Sequence, residues 1–147
     1  LEQLPNWPNA VFSPDGRWVA YVSDESGQRE VNVQSFQVDG PGEGARWRIS
    51  TAGGSQPVWR RDGRELFYLT ADNKLMSVSV KSGQEFSVES PTALFRIDPS
   101  GGGGFYDVTR DGQRFLVNTS VTRAESLPIT VVVNWTASLR SGPLRNR

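Results

Sequence analysis

Phe12-Ser13-Pro14-Asp15-Gly16-Arg17 runs into the apolar stretch Trp18-Val19-Ala20-Tyr21-Val22, and both halves return twice along the chain. Trp59-Arg60-Arg61-Asp62-Gly63-Arg64 leads into Leu66-Phe67-Tyr68-Leu69, and Val108-Thr109-Arg110-Asp111-Gly112-Gln113 leads into Phe115-Leu116-Val117. The Asp-Gly pairs begin at 15, 62 and 111, so they recur every 47 and 49 residues. Glycine accepts the positive φ of a tight turn and the preceding aspartate caps it, so each pair between two apolar stretches predicts a β-hairpin. A period of about 40–50 residues built from such hairpins is that of a propeller blade.

Working outward, the strands after the turns align: Val19 with Leu66 and Phe115, Ala20 with Phe67 and Leu116, Tyr21 with Tyr68 and Val117. Their apolar residues are consecutive, which predicts burial on both faces, as in a sheet sandwiched between neighbouring blades. A third strand follows in each unit, at Val31 to Phe36, Leu75 to Val80 and Ile129 to Asn134, the first two alternating apolar with polar residues. A fourth is expected at Arg46 to Ser50 and at Ala93 to Ile97, and none is evident in the third unit. Glycine-rich connections, Thr51 to Ser55 and Asp98 to Gly104, join the units. The 15 glycines and 9 prolines punctuate the chain as an all-β meander requires, and no stretch carries a capped 3.6-residue period.

The fold class expected is therefore all-β: a β-propeller segment of about three four-stranded antiparallel blades, the last incomplete. The propeller segment spans 1–140, with blades at about 8–51, 55–98 and 104–136, and 141–147 is expected to be a disordered tail. Closed propellers have about 4–8 blades. Three blades suggest half of a six-bladed ring, completed by the remaining blades of a parent chain or by a second copy as a homodimer. Unpartnered, the two end faces would show apolar strand surface to water.

Composition excludes several chemistries. The 147 residues include no histidine and no cysteine, so neither a Ser-His-Asp triad nor a thiolate metal site can form within the chain. Sixteen basic and sixteen acidic residues cancel, which argues against a general nucleic-acid binder. No apolar run approaches the roughly 20 residues of a membrane helix. The chain begins at Leu1 rather than methionine, which fits a processed product or an excised piece.

The residues that suggest chemistry read more simply as structure. Asp15-Gly16, Asp62-Gly63 and Asp111-Gly112 are turn pairs rather than a carboxylate ring. Asp24-Glu25 and Asp72-Asn73 lack the alternating oxygen ligands of a calcium loop. Gly101 to Gly104 lacks the Lys-Ser/Thr and helix of a phosphate cradle. Trp59-Arg60-Arg61 and Arg46-Trp47-Arg48 mix basic and aromatic residues as single-strand binders do, yet both tryptophans occupy core strand positions. Ser13, Ser55 and Ser120 have no histidine, and nothing supports a dyad with Lys74 or Lys81. No catalytic, cofactor or metal residue is expected. The hairpin loops vary in length, which makes Asp24, Glu25, Arg29, Asp72 and Asn73 the expected partner-binding rim.

Phe12 to Val22 resembles the TolB-like, WD-repeat-like propeller family, whose mark is a Phe-Ser-Pro-Asp-Gly turn leading into an Ala-Tyr-type strand. Trp59 to Leu69 and Val108 to Val117 are similar with substitutions at the Ser-Pro positions. Trp47 to Thr51 with Gly53-Gly54, and Pro128 to Val132 with Asn134-Trp135-Thr136, look like the C-terminal propeller region of large bacterial proteins, many of which carry a serine/threonine kinase domain. The resemblance implies a non-catalytic binding or sensing scaffold that takes a protein or peptide partner, and slightly favours an extracytoplasmic location. It also admits a substrate-gating propeller of a prolyl-oligopeptidase-type serine peptidase, and a TolB-type periplasmic interaction module. No kinase phosphate loop and no Gly-x-Ser-x-Gly element lies within these residues.

Overall fold

The computed structural model describes residues 9–37, 40–82, 86–97, 106–119 and 131–133. Every regular element among them is a strand. The first sheet is a meander of β1 (Val11–Phe12), β2 (Trp18–Ser23), β3 (Glu30–Gln37) and β4 (Gly40–Arg48), each antiparallel to the next. The second contains β5 (Ser55–Trp59), β6 (Glu65–Leu69) and β7 (Lys74–Ser82). Its outer edge is divided: β8 (Phe86–Val88) pairs with Val80 to Ser82, and β9 (Thr92–Arg96) pairs with Lys74 to Ser77. Pro91, between them, has no N–H for the ladder, which is why the strand is interrupted there. The third sheet has β10 (Tyr106–Val108), β11 (Arg114–Val117) and β12 (Val131–Val133). The disordered tail expected at 141–147 lies outside the described residues.

The all-β, three-sheet architecture agrees with the sequence, with corrections of detail. The first outer strand starts at Gly40, well before Arg46, because a register shift between Gln34 and Phe36 lets the glycine-rich stretch pair with Phe36 and Gln37. β8 was not foreseen at all. Burial on both faces holds for Val19 to Val22 and Leu66 to Leu69, but β11 alternates and Leu116 is 50% exposed. Its sheet is the last described, so only one of its faces is covered by a described neighbour.

The three sheets stack face to face. Even-numbered residues of β2 (Ala20, Val22) with Val31 and Val33 meet Trp59, Leu66, Tyr68, Val78 and Val80 in the first core. The opposite face of the middle sheet, Phe67, Leu69 and Leu75, packs on Phe115 and Val117 of the third. Phe67 and Phe115 sit edge to face at 5.1 Å, an arrangement that suits the ring quadrupoles. Toward the outer edge Trp18, Trp47 and Phe86 form one ring cluster with centroids 4.6–5.4 Å apart. The far face of the first sheet differs: Val19 and Tyr21 are buried, while Phe12 is 56% exposed and touches Phe36 at 4.8 Å.

The three Asp-Gly turns are one structure repeated. Gly16, Gly63 and Gly112 each have φ of 71°. Their amides donate to the carbonyls of Ser13, Arg60 and Thr109 at 2.8–2.9 Å, closing a type I turn with glycine last. The turns also stack between sheets. A Cβ on Gly63 would lie 3.7 Å from Pro14 Cδ, and one on Gly112 only 2.9 Å from Arg60 Cδ, whereas Gly16 has no described neighbour within 4 Å.

Alanine at these glycines separates strain from stacking. Gly63→Ala is expected to lose about 1–2 kcal/mol from left-handed backbone strain alone. Gly112→Ala must also displace Arg60, so its urea midpoint should fall further. Equal losses would contradict the stacking of turns.

Candidate functional site

A meander places successive turns at opposite ends of the sheets. All three Asp-Gly turns therefore share one rim, and the β2–β3 loop, the β4–β5 connection and the β6–β7 loop share the other. The first strands β1, β5 and β10 come together between the rims, and the line along which they meet is the axis of the stack. Two aromatic donors tie them: Trp59 Nε1–H donates to the Val11 carbonyl at 3.3 Å, and the Tyr106 hydroxyl donates to the Gln56 carbonyl at 2.7 Å. Burial, with the charge of Asp107, raises the Tyr106 phenol well above its usual range, so it stays a donor.

On the Asp-Gly rim the aspartates do not converge. Each serves its own turn: Oδ1 of Asp15, Asp62 and Asp111 accepts the amide of Arg17, Arg64 and Gln113 at 3.0–3.2 Å. The Ser13 and Thr109 hydroxyls donate to the same carboxylates at 2.6 and 2.5 Å. Arg60 takes that place in the middle turn, with Nε 3.3 Å from Asp62 and Nη1 2.9 Å from Glu65. Glu65 also accepts the Ser77 hydroxyl at 2.8 Å, so Arg60, Glu65 and Ser77 form a polar cluster beneath the third turn. Adjacent Arg61 projects elsewhere, to a cavity of about 350 Å³ at the mouth of the axis. Arg110 reaches the same cavity from the third turn, with Phe12, Val58 and Val108 among its walls.

The connection rim holds the expected partner residues, and the structure divides them. Arg29 and Asn73 line one cavity of about 340 Å³ between the first two sheets, with Gln28, Gly53 and Ala71. Glu25 lies in a separate polar cavity of about 400 Å³, paired with Arg46 at 2.5 Å beside Asn32 and Arg48. Asp24 lines neither; its carbonyl accepts the Gly27 amide at 2.8 Å. Asp72 holds the β6–β7 turn much as the Asp-Gly aspartates hold theirs. Its carboxylate accepts from the Thr70 hydroxyl at 2.6 Å and faces Lys74 Nζ at 2.9 Å. Those two partners hold its carboxyl at about 2, below the ordinary 3.8. Asn73 takes the turn's left-handed position, with φ of 61°. At Asp111 the Thr109 hydroxyl, helped by the Gln113 amide, likewise lowers the carboxyl.

Sequence reasoning missed the group that secures this rim. Glu30 is 3% exposed, and its carboxylate accepts from the Ser50 hydroxyl and, at 3.2 Å, from the Gly53 amide. Ser50 Oγ in turn accepts the Val31 amide at 2.8 Å. A Cβ on Gly54 would collide with Ser50, so the Gly-Gly pair lets the connection approach the carboxylate. Burial, reinforced by the charge of Glu30, pushes the Tyr68 phenol up to about 12. The signal available was a glutamate opening an apolar strand, twenty residues before a serine and a Gly-Gly pair. Among the described residues no group of three or more acidic, histidine or cysteine side chains is placed to hold a metal.

Two measurements check these assignments. Glu30→Ala leaves buried donors without an acceptor and is expected to cost about 2–3 kcal/mol, against less than about 1 kcal/mol for the exposed pair lost in Glu25→Ala. Similar losses would contradict the latch. For Asp72 the folded carboxyl binds its proton less readily than the unfolded one, so the stabilisation is present above the unfolded value of 3.8 and is lost as pH falls toward about 2. Asp72→Asn is therefore expected to flatten the fall in urea midpoint over that window, and an unchanged slope would rule out this role.

Comparison with known proteins fits this geometry. The model of the prolyl oligopeptidase N-terminal beta-propeller domain matches residues 8–85, which take in the first sheet and β5 to β7. A solved structure described as a "putative 6-phosphogluconolactonase" from Bacteroides uniformis ATCC 8492 is similar in fold, with a TM-score of 0.51 and 16% identity. The alignment covers 84% of this chain and 39% of that one. No curated protein matches the chain. With more than half of its residues matched by the family model, the chain belongs to the prolyl oligopeptidase N-terminal β-propeller domain family.

Proposed function

We propose that the chain is a non-catalytic propeller scaffold, part of a larger ring, that receives a protein or peptide partner at its connection rim. One observation carries the ring reading. The exposed large hydrophobic residues among those described are Phe12 and Leu116, and they lie on the two outward faces of the end sheets. Gly16, whose counterparts are covered by the preceding turn, lies on the first of these sheets. Further blades of the same kind would cover both faces, and for the isolated chain a second copy would supply them. Asp15, Asp62, Asp72 and Asp111 are committed to their turns and Glu30 to a connection, which supports a scaffold rather than a reaction centre. The cavity of Arg29 and Asn73 suits a partner because residues of the first two sheets line it together and it mixes polar side chains with apolar surface.

Family membership favours a second, finer reading, in which this propeller gates access to the hydrolase domain of a prolyl-oligopeptidase-type serine peptidase. The kinase-linked sensor and the TolB-type periplasmic module are the other settings in which the same scaffold would serve. Full-length protein captured from its source with antibodies to this chain separates them. Labelling by a fluorophosphonate serine probe identifies the peptidase, and autophosphorylation from ATP identifies the kinase. Neither is expected of a free-standing binding module.

For the ring itself, light scattering of the isolated chain is expected to give twice its mass of 16.2 kDa. Phe12→Glu and Leu116→Glu should each return it to the monomer. A monomer at every concentration would defeat the pairing of end faces.

A further inference from the structure

The second residue of the Asp-Gly turn is proline in the first sheet and arginine in the other two: Pro14, Arg61 and Arg110. All three line the cavity of about 350 Å³ at the mouth of the axis. Both arginines are exposed, and among the described residues neither guanidinium makes a hydrogen bond or an ion pair. Their neighbours differ in this respect, since Arg17 is paired with Asp15, Arg60 with Glu65 and Arg46 with Glu25. Among the described residues the one carboxylate on the cavity wall is that of Asp107, whose Oδ1 accepts the Val108 amide at 2.8 Å. The rest of the wall is largely apolar, with Val11, Val58 and Val108 among the residues that line it.

We infer that this mouth binds a carboxylate carried on an apolar body, such as the C-terminal residue of a peptide that ends in an aliphatic side chain. The argument is one of charge and shape. Two guanidiniums against one carboxylate leave a single excess positive charge, which matches a monoanion. A planar fork of N–H donors fits a carboxylate, and apolar surroundings strengthen the charged hydrogen bonds. A phosphate dianion would face Asp107 without a compensating lysine. A cavity of this size accommodates one or two residues rather than a folded domain. The site lies on the rim opposite Arg29 and Asn73, so it stands apart from the partner surface proposed above.

Calorimetry with acetyl-alanyl-alanyl-leucine and with its C-terminal amide provides the test. The acid is expected to bind and the amide to bind about 10–100-fold more weakly, the range that one or two charge-assisted hydrogen bonds supply. Arg61→Gln and Arg110→Gln should each weaken the acid without changing the amide or the urea midpoint, because both side chains are exposed. Inorganic phosphate should compete poorly. The inference is overturned if acid and amide bind alike, if neither binds at millimolar concentration, if the arginine variants bind the acid normally, or if phosphate displaces it at equal concentration.

Discussion

The middle sheet is apolar on both faces, and the rest of the structure follows from the need to cover both. Leu66, Tyr68 and Val78 require one neighbouring sheet, while Phe67, Leu69 and Leu75 require another. Removing a fully buried aromatic such as Phe67 from such an interface costs about 3–5 kcal/mol, a large part of what holds a small domain together. A two-layer sandwich satisfies one face of each sheet. Only serial stacking satisfies both, and stacking carries the requirement outward to the end sheets, where Phe12 and Leu116 are exposed.

Stacking also explains where the polar groups lie. Rims are where backbone turns leave the sheets, so donors and acceptors gather there and need local partners. Serine, threonine and aspartate supply these within each Asp-Gly turn, and Glu30 supplies them for the connection between the first two sheets. In the middle turn an arginine replaces the hydroxyl, and its long side chain extends under the third turn to Glu65. Its neighbour Arg61, one residue on, is left for the axis. A single dipeptide thus holds one structural cation and one cation that no described group engages.

How much of this was legible depended on the range of each interaction. The turns were legible because their determinants, a hydroxyl or arginine, an aspartate and a glycine, lie within four residues. The second strands were legible as doubly buried, but the same apolar run in β11 gave no sign that its outer face would lack a described neighbour. Glycine and proline are poor in strands, so the pairing of Gly40 and Pro41 was hidden, and three residues of β8 before a proline carry too little period to register. The different roles of Arg60 and Arg61 are fixed by which way adjacent side chains point, and composition does not record that. Glu30 was invisible because its partners lie about twenty residues away. In the candidate site, each turn aspartate bonds within its own Asp-Gly turn, a local relation that sequence can carry, whereas the sorting of Asp24, Glu25, Arg29, Asp72 and Asn73 between two cavities and a turn depends on how two sheets meet.

Amide hydrogen exchange, read residue by residue, tests the stacked arrangement most directly. If the middle sheet is covered on both faces, amides in Leu66 to Leu69 and around Leu75 and Val78 should exchange slowest, near the limit set by global unfolding. Those of Arg114 to Val117, covered on one face by a described neighbour, should exchange faster. Protection that is uniform across the three sheets, or greatest in the third, would contradict the account.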